Sequence, residues 1–366
     1  MHTAARATVW SGGLAVALVA AVVASATVGA TPIDPLVVAK ATANAVGVPA
    51  GVAVAVRSAH AFGLAVPVPV PTVSYVYPFS FSVPQTAELI VHRVRLPRIA
   101  LAAVVGFALA AAGTVMQGFF RNPMADPSIV GVSSGAAVGA VLTIALPLAI
   151  PLGLQTAAFL GAIAAAFAVY LIATEGGRTP VATLLLAGVA VQTFLGAAVS
   201  YLLLQSGESL RTAVYWLMGT LRAASWGQVE VTLPLTVLAF AALMAYARDL
   251  NVLLLGEVDA QTLGIEVERT KRVLLVLSSV VTAGAVAVAG VIGFVGLIVP
   301  HVMRLLVGPD HRILLPTSAL AGATFLVITD TVARTGPAEL PVGIVTAAVG
   351  APFFLYLLRT REVHAL

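Results

Sequence analysis

The chain contains no cysteine and only two lysines, Lys40 and Lys271, and charged side chains make up 9% of its 366 residues. Without cysteine there are no disulfides, no thiol chemistry and no thiolate-held metal. The lysines follow Ala39 and Thr270, so the Gly-Lys-Ser/Thr core of a phosphate loop is missing and any nucleotide energy must come from another subunit. The six histidines (His2, His60, His92, His301, His311 and His364) are scattered without ligand spacing. No metal site and no cofactor are expected. The net charge of +4 is small and the arginines lie at the ends of apolar runs, where they report membrane topology rather than nucleic-acid binding.

What the chain has in abundance is apolar surface. Hydrophobic residues reach 60% and mean hydropathy is +1.04, whereas about a quarter of residues in soluble proteins are charged. The composition is that of an all-α, multi-pass integral membrane protein, and about 20 residues per span leave room for roughly ten helices and no separate soluble domain. The apolar run from 9 to 30 follows Arg6 and ends in ASATVGA. Its length favours a retained first helix over a cleaved signal peptide. Further spans are expected near 98–118, 128–147, 153–173, 181–204, 229–247, 273–290, 292–307, 313–333 and 340–358.

Residues 31–94 are expected to form a long extracytoplasmic loop between the first two helices, close to the bilayer. Pro67, Pro69 and Pro71 alternate with Val, which predicts extended, polyproline-like backbone. Tyr75, Tyr77, Phe79 and Phe81 also alternate, as in a strand or an interfacial aromatic belt. The run 45–66 is apolar, but Pro49, Arg57 and His60 argue against another span. Counting loops from a cytoplasmic N-terminus places eleven basic residues inside and eight outside. Both termini and the loop 248–272 are then cytoplasmic.

That loop, RDLNVLLLGEVDAQTLGIEVERTKR, concentrates charge in a chain otherwise nearly free of it. Its centre reads as a short helix with Leu255 and Val258 three apart and Gly264 as its stop. It is either an ordinary solvated loop or the place where a soluble partner docks. Within the spans, Gly131, Gly135 and Gly139 repeat on one face for close helix packing. Gln117, Ser133, Ser134, Gln192, Ser200, Ser278, Ser279 and Thr282 read as interhelical hydrogen-bonding groups, and Asp330 falls near a helix end, so a proton relay is disfavoured. The run Gly290–Arg304, with Gly293, Gly296 and Pro300, reads as an irregular helix lining a pathway, with a proline kink as the competing account.

The motifs RLPR (95–98), GTVMQGFFRNPMADPSIVGVSSGAAVG (113–139), LLLAGVA (184–190), YWLMGTL (215–221), LGEVDAQTLG (255–264), GVIGFVGLIVPHVMR (290–304), DHRILLP (310–316), DTVAR (330–334) and ELPVGIVTAAVGAPFF (339–354) occur in order. Over about residues 95–360 they resemble the FecCD family, permease subunits of ABC importers for vitamin B12, haem and ferric siderophores. The resemblance implies ten spans with inverted repeats of helices two to five and seven to ten, the type II importer fold. It also implies a homodimer with the path on its axis, two cytoplasmic ATPase subunits and an extracytoplasmic binding protein.

By the same resemblance, Leu255, Gly256, Glu257, Ala260, Leu263 and Gly264 fall on the ATPase-coupling helix. Arg95 and Arg334 fall on arginines that dock the binding protein, and Asn122 and Met124 lie near the cytoplasmic gate. Two features depart from the family. Val181 and Ala182 stand where the vitamin B12 permeases have a Thr-Ser pair at the gate, which puts a polar gate in doubt. The first loop is also longer than usual, and only its start, TPIDPLVV (31–38), resembles the family's short helix. The expected function is inward transport of a large metal chelate, cobalamin ahead of ferric siderophore or haem, without covalent chemistry. The rivals are an ion-coupled secondary transporter or channel and a non-transporting membrane receptor or scaffold.

Overall fold

The computed structural model describes residues 3–360 except 30, 62–63, 147–152 and 337. Its contacts divide the chain into two compact units, Met1–Ala30 together with Pro97–Leu366, and Thr31–Leu96. The second unit nearly coincides with the segment 31–94 set apart in the sequence.

The first unit is helical. Its apolar helices are α1 (Thr3–Thr27), α4 (Leu96–Phe120), α5 (Val132–Ala145), α6 (Gly153–Ala173), α7 (Val181–Gln205), α9 (Trp226–Ala245), α12 (Val267–Ala289), α13 (Val295–Val307), α14 (His311–Ala333) and α15 (Val342–Thr360). Among the described residues, seven apolar helices are long enough to cross a bilayer, and three more, Val132–Ala145, Val295–Val307 and Val342–Tyr356, are shorter. Those ten are the helices expected from the sequence. Shorter helices, α8 (Leu210–Leu217), α10 (Ala247–Leu253) and α11 (Glu257–Thr262), join them.

Two sets of four follow the same length pattern. Helices α4, α5, α6 and α7 have 25, 14, 21 and 25 residues, and α12, α13, α14 and α15 have 23, 13, 23 and 19. The second helix is the short one in each set, and irregular backbone precedes both. Paired short or broken segments in the two halves of a transporter mark where its pathway runs.

Glycine sets the helix spacing. A Cβ built on Gly113 of α4 would lie 1.9 Å from the Gly296 carbonyl oxygen, and one on Gly106 would lie 2.3 Å from that of Gly322. Helices α5 and α6 meet in the same way, Gly135 against Gly161 and Gly139 against Ala157. Lipid offers no hydrophobic drive between helices, so dispersion across such close backbones holds them together. Gly131 continues this face more loosely, against Ala165 and Val169 of α6, and at φ 82° it closes a 3-10 turn, Pro127–Val130, ahead of α5.

The second unit is not a plain loop. It contains α2 (Pro35–Asn44), an antiparallel pair β1 (Val48–Ala61) and β2 (Leu64–Val76), and α3 (Gln85–Ile90) with a π turn, Val91–Arg95. Asp34 caps α2 by accepting the Leu36 N–H at 2.7 Å, and Pro35 opens it. The pairing runs from Val48 opposite Val76 to Ala61 opposite Leu64. Pro67, Pro69 and Pro71 stand opposite Ser58, Val56 and Val54. Alternate residues turn their nitrogens to one edge, so three missing donors leave the ladder intact. This corrects the polyproline-like reading, and residues 45–66 are mostly strand rather than loop or span. Among the described residues the hairpin is the one sheet in an otherwise helical chain. Tyr75 lies in β2, while Tyr77, Phe79 and Phe81 follow it outside any strand. The Asn44 side chain pairs with the Phe81 backbone in both directions, at 2.9 and 2.8 Å.

Candidate functional site

The charged loop folds into α10, α11 and the first turns of α12. Gly256, at φ 122°, lets the chain reverse before α11, and Gly264, at φ 86°, ends it. The Ile265 N–H donates to the Ala260 carbonyl and the Gly264 N–H to the Gln261 carbonyl, both at 3.0 Å. This reciprocal closure satisfies the last carbonyls of a six-residue helix that could not stand alone.

Ala260 is fully buried and seats α11, whereas Leu255, Val258 and Leu263 are 62%, 75% and 62% exposed. Glu257 accepts from Lys271 Nζ at 3.1 Å, and Glu268 accepts from the same ammonium at 2.9 Å. The second Glu268 oxygen takes the Thr179 N–H at 3.1 Å, which ties the turn before α7 to the start of α12. Arg121 lies beside Gly256, its Nη1 3.9 Å from where a Cβ would stand. A neighbouring tie joins α10 to α14. The Asn251 side-chain oxygen accepts from the His311 backbone and lies 2.8 Å from His311 Nδ1, and its amide donates to Asp310 at 2.7 Å. Asp310 also accepts from Arg312 at 2.7 Å, and these donors hold its carboxyl down at about 2.

The two stretches expected at the gate lie next to residues that touch this loop, Arg121 and Thr179. Asn122 accepts the Met124 N–H at 2.9 Å in a tight turn that follows Arg121, whose φ is 48°. Val181 and Ala182 form the first turn of α7, half-buried and exposed respectively. Thr179, two residues upstream, is the residue joined to Glu268.

The irregular stretch is Gly290–Phe294, not the proline. Gly290 has φ 71° and Phe294 φ 69°, while Pro300 stays inside α13. The Ala289 carbonyl is taken by the Thr220 N–H at 2.7 Å, and Gln117 donates to the Leu297 carbonyl at 2.9 Å. Only Gly293 of the three expected lining residues faces open space. Gly296 and Pro300 are buried, Gly296 against Leu109 and Pro127.

Both arginines expected at the docking surface have partners inside the fold. Arg95 is 3% exposed and donates to the Thr31 carbonyl. The Arg334 side chain is 8% exposed, donates to Ser25 Oγ at 2.6 Å and lies 3.2 Å from Asp330. Asp330 holds Arg98 as well, at 2.8 Å, and Arg98 pairs with Glu339. An unpaired carboxylate at this depth would be costly, so it gathers two guanidinium groups. Arg98 was given no role from the sequence, although it stands in the RLPR motif.

A profile of the FecCD transport family matches residues 17–360. The chain is 59% identical, over the full length of both proteins, to the cobalamin import system permease protein BtuC of Halobacterium salinarum. It is 46% identical to the hemin transport system permease protein HmuU of Yersinia pestis, over 74% of this chain and 83% of that one. Identity to the Fe(3+) dicitrate transport system permease protein FecD of Escherichia coli is 40%, over 74% and 85%. A solved inward-facing structure assigned to the metal-chelate type of ABC transporter superposes with a TM-score of 0.78 at 31% identity, covering 96% of this chain and 98% of that one. With this match across nearly all of its length and this arrangement of helices, the chain belongs to the FecCD transport family.

Proposed function

We propose that the chain is the membrane-spanning permease subunit of an ABC importer that carries a large metal chelate inward, with cobalamin as the favoured cargo. The observation that carries this reading is the 59% identity, without gaps in coverage, to a cobalamin permease. Haem and ferric chelates are the second reading, favoured by relatives named for those cargoes.

Two copies of the chain form the path, with N- and C-termini in the cytoplasm, and two ATPase subunits bind the loop 248–272. Leu255, Val258 and Leu263 are the apolar contacts for the ATPase, since large apolar groups exposed on a charged loop mark an interaction surface. Gly256, Glu257, Ala260 and Gly264 hold α11 in place. Asn122, Met124, Val181 and Ala182 border the inner gate, and Thr179–Glu268 connects that border to the docking loop. Tilting α11 would then move the first turn of α7. A binding protein docks on the opposite face, where Arg334 or Arg95 serves only if its guanidinium exchanges its internal partner for an acidic one. Cargo selection is tested by uptake into vesicles holding the permease, its ATPase and its binding protein. Cyanocobalamin should be accumulated in preference to haemin and ferric citrate; preference for haemin or a ferric chelate would assign the second reading.

A further inference from the structure

We propose that the groove between α6 and α12 holds one membrane lipid with an anionic headgroup, its tail along the groove and its phosphate on Arg272. The groove encloses about 330 Å³ and is lined by Ile163, Phe167, Leu275 and Val276, with Tyr170 and Arg272 at one end. That volume lies at the lower limit of ligand-sized clefts, roughly 300–1,000 Å³. Phe167 and Val276 in its lining are 59% and 54% exposed, as side chains that face hydrocarbon are.

Charge complementarity identifies the headgroup. Arg272 Nε donates to the Tyr170 hydroxyl at 3.0 Å, which fixes the guanidinium across the mouth and leaves its two terminal nitrogens for a phosphate. Among the described residues Arg272 has no acidic partner, in contrast to Lys271, which holds two carboxylates. Arg178 is exposed in the turn that Thr179 ties to Glu268, one helical turn from Arg272, and adds to the positive field. Tyrosine and arginine at a helix end, on the cytoplasmic side by the arginine bias, suit the headgroup level of a membrane.

A second copy of the chain fits less well. A two-fold contact would present this face to itself. Helix α6 carries no Asp or Glu, and Glu268, the one acidic residue of α12, is already engaged, so neither helix offers Arg272 a free carboxylate.

The test is native mass spectrometry of the full-length permease, released from neutral detergent after titration with phosphatidylglycerol or phosphatidylcholine. One phosphatidylglycerol per chain should survive detergent removal, while phosphatidylcholine is lost. Arg272→Gln should weaken retention about fivefold, the worth of one cation at an anionic surface, and Arg272→Lys should restore part of it. Val276→Trp, which fills the groove, should abolish retention without changing elution in size exclusion. Equal retention of the two lipids, or no effect of Arg272→Gln, would overturn the proposal. So would efficient cross-linking between two copies through a Phe167→Cys variant of this cysteine-free chain. The result depends on the membrane placement alone and not on the identity of the cargo.

Discussion

Lys271 Nζ lies 3.1 Å from Glu257 Oε1 across fourteen residues of sequence, and only 5% of the lysine side chain is exposed. The ammonium therefore fastens α11 to α12, and its second partner, Glu268, extends the tie to the turn before α7. Replacing Lys271 by Met leaves two carboxylates near each other without their cation. Both glutamates are partly exposed, so the expected loss is about 1–2 kcal/mol rather than the 3–5 of a fully buried pair. Thermal unfolding in detergent should show a lower midpoint. ATP-dependent uptake should fall further than that midpoint explains, and an unchanged uptake would separate this tie from coupling.

Docking and stability can be separated at Val258, which is 75% exposed and carries none of the loop's internal bonds. Val258→Asp should leave the melting midpoint unchanged and weaken ATPase binding at least tenfold, equivalent to about 1.4 kcal/mol. Affinity measured by titrating ATPase onto the permease in nanodiscs decides this. Wild-type affinity would remove Val258 from the interface.

The charged island, its central short helix and the Gly264 stop were legible in the sequence because charge in an apolar chain and a glycine after a helix have direct physical meanings. The partners of Lys271 were not. Fourteen residues and the turn at Gly264 separate Lys271 from Glu257, and no periodicity reports such a contact. Helix positions followed from hydropathy to within a few residues. Helix α12 begins earlier than expected, at Val267, because Lys271 is neutralised inside the fold and no longer argues for water. The hairpin was missed since alternating proline is compatible with both polyproline helix and an edge strand, and only the cross-strand register distinguishes them. The internal partners of Arg334 were not legible because sequence shows a charge but not the carboxylate, Asp330, beside it in the fold.

Close helix packing predicts severe effects from one methyl group. In Gly113→Ala the added carbon would stand 1.9 Å from a backbone oxygen that cannot rotate away. Overpacking of this kind costs about 1–3 kcal/mol or more. The variant should show a clearly lowered melting midpoint or fail to reach the membrane, whereas Gly196→Ala, with nothing within 4 Å, should match the wild type. Equal behaviour of the two would contradict the close approach of α4 and α13.

The charge cluster around Asp330 makes Arg334→Glu a folding variant first. It places a carboxylate beside Asp330, which is 1% exposed, and breaks the Ser25 bond. Loss of folded protein in size exclusion is expected, with Arg334→Gln milder. If Arg334→Glu folds normally yet no longer binds the binding protein, the guanidinium points outward in the assembled importer.

Acid should loosen the tie between α10 and α14. The Asp310 carboxyl is held at about 2, below its ordinary 3.8, mainly by Arg312. A depressed carboxylate contributes its full stabilisation above 3.8 and loses it as pH falls from 3.8 towards 2. The wild-type melting midpoint should fall across that window, and Asp310→Asn should start lower and fall less. Parallel curves would show that Asp310 does not carry the acid sensitivity.

The central claim is that this chain transports only under the drive of a partner ATPase. It is tested most directly by cargo accumulation in proteoliposomes containing the permease, its binding protein and either an active ATPase or one unable to hydrolyse ATP. The account predicts accumulation that requires ATP and disappears with the inactive ATPase. Accumulation that persists with the inactive ATPase and follows an ion gradient would contradict it.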